Sequence, residues 1–268
     1  MTSLAKRLDR MAAVNRALDL GRVPIFAARV LRALSDAHLT DTAIVTVGAN
    51  ALYAYERMAG VQIADAILET NDIDLLYDAR ASLKLLAPDV AATGVAGLLR
   101  KIDQSFEIIG KDGFRATNRD GYIVDLITPA SKDPMMSRGR KRIGSEADDL
   151  KAVEIEGLNW LVNAPKITET VMDQRGYPAP MIAPDPRAFA LHKLWLSKRE
   201  DRNPLKRRRD EAQAKLIAEL VTSRLPHLRF DDPALAALPR TLREQATLLT
   251  PTTRRDAAGQ PPRLEPDW

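Results

Sequence analysis

Apolar residues fall at three- and four-residue steps at the start of the chain: Leu4, Leu8, Met11, Val14 and Leu18. That spacing predicts an amphipathic helix. Gly21-Arg22-Val23-Pro24 interrupts it, and Phe26, Val30, Leu31 and Leu34 open a second helical stripe. From Ala43 the texture becomes β-branched and short. Ala43 to Val47 predicts a strand that ends on Gly48, and Asn50 to Ala59 predicts a helix closed by Gly60. Ile73 to Tyr77 is a second strand, and residues 82–102 read as mostly helical. Phe106–Ile109, Phe114–Thr117 and Tyr122–Ile127 are strand-like and joined by glycine-containing turns. Residues 131–150 read as a polar loop, followed by short strands within Lys151–Val162 and 169–172.

At Pro184-Asp185-Pro186 the pattern turns helical. Asp185 suits an N-cap and Pro186 the first helical position. One helix is expected from there towards Arg199 and another from Pro204 to about Ser223. The expected fold class is α/β (α+β), a mixed sheet with flanking helices followed by a C-terminal helical domain. The pattern divides the chain into a helical lead-in (1–36), an α/β domain (37–183), a helical domain (184–250) and a Pro- and Arg-rich tail (251–268).

Composition narrows the chemistry. The 268 residues carry 45% hydrophobic side chains, enough for a globular core. Cysteine is absent, which excludes disulfides, a cysteine nucleophile and thiolate metal sites. The three histidines, His38, His192 and His227, are scattered, so a histidine zinc site is not expected. No apolar run reaches the roughly 18 to 20 residues of a membrane span, and the N-terminal segment is charged; a soluble, cytoplasmic protein is expected. Against 36 acidic residues stand 40 basic ones, a net charge of only +4, so the placement of charge matters more than its sum.

Three local features carry candidate chemistry. Val47-Gly48-Ala49-Asn50 is a strand that ends on glycine and opens a helix; such a turn points backbone N–H groups outward and suits phosphate. Gly48 permits close approach and Asn50 offers a side-chain donor, although glycine also ends strands for steric reasons alone. Asp72-Ile73-Asp74 places two carboxylates on one face of a strand. Paired carboxylates repel unless a cation sits between them, and their hard oxygens suit Mg²⁺; the plain alternative is a solvated strand edge. Asp125 stands within Ile123-Val124-Asp125-Leu126-Ile127. An unpaired carboxylate there costs several kcal/mol, so it must be ion-paired, protonated or metal-bound.

The glycine turn, the Asp-x-Asp and the later single Asp, in that order, resemble the nucleotidyltransferase superfamily of the DNA polymerase β type. The stretches Gly48–Glu56 and Thr70–Arg80 are more specifically similar to a bacterial branch of nucleotidyltransferase-fold proteins related to the abortive-infection (AbiEii) and MenT-like toxin transferases. The resemblance covers about residues 40–222. It implies that Gly48, Ala49 and Asn50 hold a nucleoside triphosphate and that Asp72, Asp74 and Asp125 bind two divalent ions, Mg²⁺ or Mn²⁺, and are catalytic. The family usually has Gly-Gly or Gly-Ser in the turn; here Ala49 follows Gly48, which removes a serine contact to phosphate.

The helical segment adds cations. Lys193, Lys198, Arg199, Arg202 and Lys206 to Arg209 lie within seventeen residues. The resemblance assigns phosphate contacts to Lys193 and Arg199. Four cations at the start of the second helix oppose its dipole; a triphosphate, an RNA acceptor, or Glu200 and Asp201 would offset them. His192 is expected to be a packed side chain, and Leu191, Leu194, Trp195 and Leu196 to be core. A second basic cluster is Arg138, Arg140, Lys141 and Arg142. The expected activity is transfer of a nucleoside monophosphate from an NTP to an acceptor hydroxyl, on tRNA, another RNA or protein, with release of pyrophosphate. A cognate antitoxin is the further partner that the resemblance suggests. Two other functions fit the same residues: a catalytically degenerate nucleotide- or RNA-binding regulator, and a small-molecule (antibiotic) nucleotidyltransferase.

Overall fold

The computed structural model describes residues 3–40, 43–68, 70–80, 88–131 and 142–249. Helices α1 (Ser3–Ala17) and α2 (Ile25–Asp36) flank a short strand β1 (Gly21–Val23). Strand β2 (Ile44–Val47) runs through the 3₁₀ turn Gly48–Asn50 into α3 (Ala51–Ala59), and α4 (Asp65–Leu68) precedes β3 (Asp72–Tyr77). After α5 (Pro88–Ile102) come β4 (Glu107–Ile109), β5 (Arg115–Thr117), β6 (Ile123–Pro129) and β7 (Val153–Ile155). Helix α6 (Leu158–Asn163), the hairpin β8 (Lys166–Asp173) and β9 (Pro178–Pro184), and helices α7 (Pro186–Ser197), α8 (Pro204–Arg224) and α9 (Arg240–Glu244) complete the described chain.

Six strands form a mixed sheet in the order β2-β3-β6-β5-β4, with β7 pairing the far half of β6. Strand β3 is antiparallel to β2 and parallel to β6, which fixes the register Val47↔Asp74↔Asp125. Ile73, Leu75, Leu76 and Tyr77 are fully buried beside Val124 and Leu126, so the middle of the sheet is covered on both faces. The start of β3 breaks this pattern: Asp72 and Asp74 are half-buried on one face, with Ile73 in the core between them. The expected α+β class is therefore observed.

The structure departs from the sequence reading in three places. Gly21–Val23, expected only to break two helices, pairs in parallel with β8 and founds a second, three-stranded sheet, β1-β8-β9. Strand β9 was not expected, because it holds Pro178, Pro180 and Pro184. It is an edge strand, and its prolines share one parity while Ala179, Met181 and Ala183 alternate with them. The missing N–H groups therefore fall on the side away from β8. Leu158–Asn163, expected within a strand-bearing stretch, is helical and follows Gly157 at φ 85°.

Helix α1 forms as the periodicity predicts, but its apolar stripe is not its packed face. Leu4, Met11 and Leu18 are 62%, 50% and 61% exposed, while Ala12 and Asn15 are buried. The Asn15 amide anchors the helix by donating to the Gly176 carbonyl at 2.8 Å. Helices α7 and α8 pack on one another, and their starts are as read: the Asp185 carboxylate accepts from Arg187 N at 2.8 Å and Asn203 accepts from Leu205 N at 2.9 Å, each before a proline at the first turn. Arg138, Arg140, Lys141 and the 251–268 tail lie outside the described residues.

Candidate active site

The site is built where β2 ends and β3 begins. Val47 lies opposite Asp74, and the chain then turns at Gly48 with φ +67°. A Cβ placed on Gly48 would stand 2.1 Å from Asp74 Oδ2. Only glycine tolerates both that backbone and that approach. The turn passes directly into the 3₁₀ residues Gly48, Ala49 and Asn50 and then α3. Asn50 is buried, and its amide donates to the Asp72 carbonyl at 2.6 Å, which ties the turn to the strand that carries the carboxylates. The side-chain donor expected for phosphate is thus engaged inside the protein.

Asp72 and Asp74 project from the same face of β3. The parallel register sets Asp125 beside Asp74, so the structure brings the three sequence-selected aspartates to one end of the sheet. The Thr70 hydroxyl donates to Asp72 Oδ1. Burial, then the charges of Asp72 and Asp125, push Asp74 up from the ordinary 3.8 to about 6. Lys193 and Lys206 act on it in the opposite sense, so both cations belong to the electrostatic surroundings of the carboxylates. The group with the perturbed acidity lies under the glycine turn, as expected of a functional cluster.

Asp125 is buried and ion-paired. Arg115, directly opposite in the β5–β6 register, donates from Nε to Oδ1 at 2.7 Å and from an Nη to Oδ2 at 2.6 Å. Of the three fates open to a buried carboxylate here, the structure shows the ion pair. Among the described residues no group of three or more His, Cys, Asp or Glu side chains is arranged to hold a metal ion. Mg²⁺ asks for less: one or two carboxylates, with water and substrate phosphates completing its shell. Asp72 and Asp74, side by side and with no guanidinium across their oxygens among the described residues, fit that requirement.

Helix α7 delivers Lys193. Its ammonium is buried and donates to Asp210 Oδ1 at 2.7 Å, while Arg202 Nε reaches Asp210 Oδ2 at 2.9 Å. Burial pushes the lysine below its usual range, and the Asp210 charge works against that shift. Arg199, the other cation assigned to phosphate, is placed differently: it pairs with Asp201 and Glu156 at 2.7 and 2.6 Å and lies over the Trp195 ring. His192 is packed between Trp160 and Trp195, and burial pushes its imidazole down to about 3, so it stays neutral. Leu191 and Leu194 are core, and Trp195 and Leu196 are half-buried.

Two residues of the site escaped the sequence reading. Arg115 carries no local signal; its role depends on a hairpin register that places it opposite Asp125. Asp210 directly follows the basic run, and it, and not Glu200 or Asp201, is the buried acid that holds Lys193. Cross-links join these elements around the site. Tyr55 of α3 donates its hydroxyl to the Pro184 carbonyl at 3.0 Å, and Gln213 of α8 donates to the Ile67 carbonyl, just before the Asp72 strand, at 3.2 Å.

No curated protein and no solved structure matches this chain significantly. A family model described as nucleotidyltransferase matches residues 26–239, from α2 to the chain just before α9. That span contains the glycine turn, the three aspartates, Arg115, Lys193 and Asp210. The chain therefore belongs to the nucleotidyltransferase family, a family of transferases that act on nucleoside triphosphates.

Proposed function

We propose that the protein transfers a nucleoside monophosphate from an NTP to an acceptor hydroxyl and releases pyrophosphate, with Asp72 and Asp74 as the divalent-metal pair. The observation that carries this reading is the convergence of Gly48, Asp74 and Asp125 in one register, with Asp74 pushed up to about 6 by burial and by the like charges of Asp72 and Asp125, which a cation would offset. Mg²⁺ or Mn²⁺ on Asp72 and Asp74 would bind the triphosphate and draw charge from it. The Gly48 turn leaves room for phosphate to approach the backbone. Lys193 and Lys206 supply positive potential for the leaving pyrophosphate. The acceptor oxygen attacks the α-phosphorus, the bond to the β-phosphate oxygen breaks, and Asp125, held by Arg115, takes the acceptor's proton.

The test is calorimetric titration of ATP, GTP, CTP and UTP with Mg²⁺, followed by a pyrophosphate-release assay with total RNA, protein and aminoglycosides as trial acceptors. Release that depends on Asp72 and Asp74 supports transfer, and the acceptor that becomes labelled decides among RNA, protein and small molecules. An RNA or protein acceptor would accord with the toxin-like branch and its cognate antitoxin. Binding without release would instead support a regulator. The engaged Asn50 amide and the ion-paired Asp125 favour that second reading.

A further inference from the structure

We infer that Arg115 is a built-in cation of the site that keeps Asp125 out of metal coordination, so that the free protein holds a single divalent ion, on Asp72 and Asp74. This rests on the metal-dependent reading above and concerns how that site is occupied.

The argument begins with the backbone. Arg115 and Asp125 are direct partners across the β5–β6 ladder, so their pairing is set by strand register and not by loop placement. The contact is a two-point fork, and it engages both carboxylate oxygens at 2.7 and 2.6 Å. Such pairs are the stronger charge-assisted hydrogen bonds and fix geometry as well as charge. Asp125 is buried, whereas the Arg115 side chain is 38% exposed. The guanidinium thus closes the solvent side of the carboxylate while sitting in the field of Asp72 and Asp74 as well. A metal ion on Asp125 would have to displace an arm of this fork or take a remaining lone pair beside a fixed guanidinium charge that repels it. Asp72 presents a different picture, with the Thr70 hydroxyl on one oxygen and, among the described residues, no guanidinium paired with it. The carboxylates that repel each other along β3 are those available to a cation. The third one already has its own.

Mn²⁺ titration of the full chain, followed by loss of the free-ion electron paramagnetic resonance signal, tests this without any turnover. Wild type is expected to bind a single Mn²⁺. Asp72→Asn should abolish that binding, and Asp125→Asn should leave its affinity unchanged within about threefold. Arg115→Gln, which frees Asp125, should add a second Mn²⁺ or tighten binding by about tenfold. Because Arg115→Gln leaves a buried charge unpaired, the double variant Arg115→Gln/Asp125→Asn serves as the well-folded companion and should return to one ion at wild-type affinity. Equal loss of binding in Asp125→Asn and Asp72→Asn overturns the inference, as does an Arg115→Gln protein that folds and binds Mn²⁺ as wild type does. Binding that survives both Asp72→Asn and Asp74→Asn is a different result: it overturns the metal pair itself.

Discussion

Replacing Asp74 by asparagine should make the protein more stable at neutral pH while removing its activity. Asp74 lies half-buried under Gly48 and beside Asp125, and burial with the charges of Asp72 and Asp125 holds it at about 6 instead of 3.8. The folded chain therefore holds a proton at this position that the unfolded chain has already lost between those two values. The stabilisation linked to that proton is complete below 3.8 and is lost as the pH rises through about 6. A shift of that size corresponds to about 3 kcal/mol at most, and partial contact with water reduces it to about 2. Asparagine keeps the shape and removes the charge. Urea unfolding of both proteins should show the advantage of asparagine growing by about 1 to 2 kcal/mol between about pH 4.5 and about pH 7.5. Mg²⁺ should raise the stability of wild type at the higher pH and leave the variant nearly unchanged. An advantage that is flat with pH, or that shrinks as pH rises, refutes the claim that burial and like charges together hold the Asp74 carboxyl up.

Other consequences follow from the same geometry. Gly48→Ala, which needs φ +67° and a Cβ 2.1 Å from Asp74 Oδ2, should lose about 2 kcal/mol in urea unfolding and most nucleotide incorporation; a variant as stable as wild type would mean that the approach is not close. Asp210→Ala strands the buried Lys193 and the half-buried Arg202, and its unfolding free energy should fall by about 3 to 5 kcal/mol, with Asp210→Asn losing less. Met11→Glu, on the uncovered side of α1, should change stability by no more than about 0.5 kcal/mol; a loss several times larger would show that this face is packed.

Local chemistry was legible in the sequence, and partnership was not. The Asp-x-Asp face, the strand ending on Gly48, the cap at Asp185 and the helix start near Pro204 each depend on residues a few positions apart, and the structure shows the geometry their spacing dictates. Strand β9 was hidden because its prolines mimic a loop until the edge position is known. Strand β1 was hidden because three residues gain strand character only from a partner about 150 positions later. Helix α1 was read correctly as a helix, but periodicity does not say whether an apolar stripe is covered, and here the docking contact is made by Asn15. The site divides in the same way. Three aspartates could be selected by pattern and by the cost of burying Asp125. Arg115 and Asp210 could not, because an ion pair depends on which strand or helix comes to lie opposite. The resemblance assigns phosphate contacts to both Lys193 and Arg199; the first enters the electrostatic surroundings of Asp74, while the second is engaged with Glu156 and Asp201.

The most direct measurement of the central claim is incubation of the protein with Mg²⁺, acceptor and NTP labelled at either the α- or the γ-phosphate. Nucleotidyl transfer by the Asp72–Asp74 pair predicts stable incorporation of the α-label, release of the γ-label as pyrophosphate, and loss of both in Asp72→Asn and Asp74→Asn proteins that remain folded. Incorporation that persists in both variants, or transfer of the γ-label to the acceptor, would contradict it.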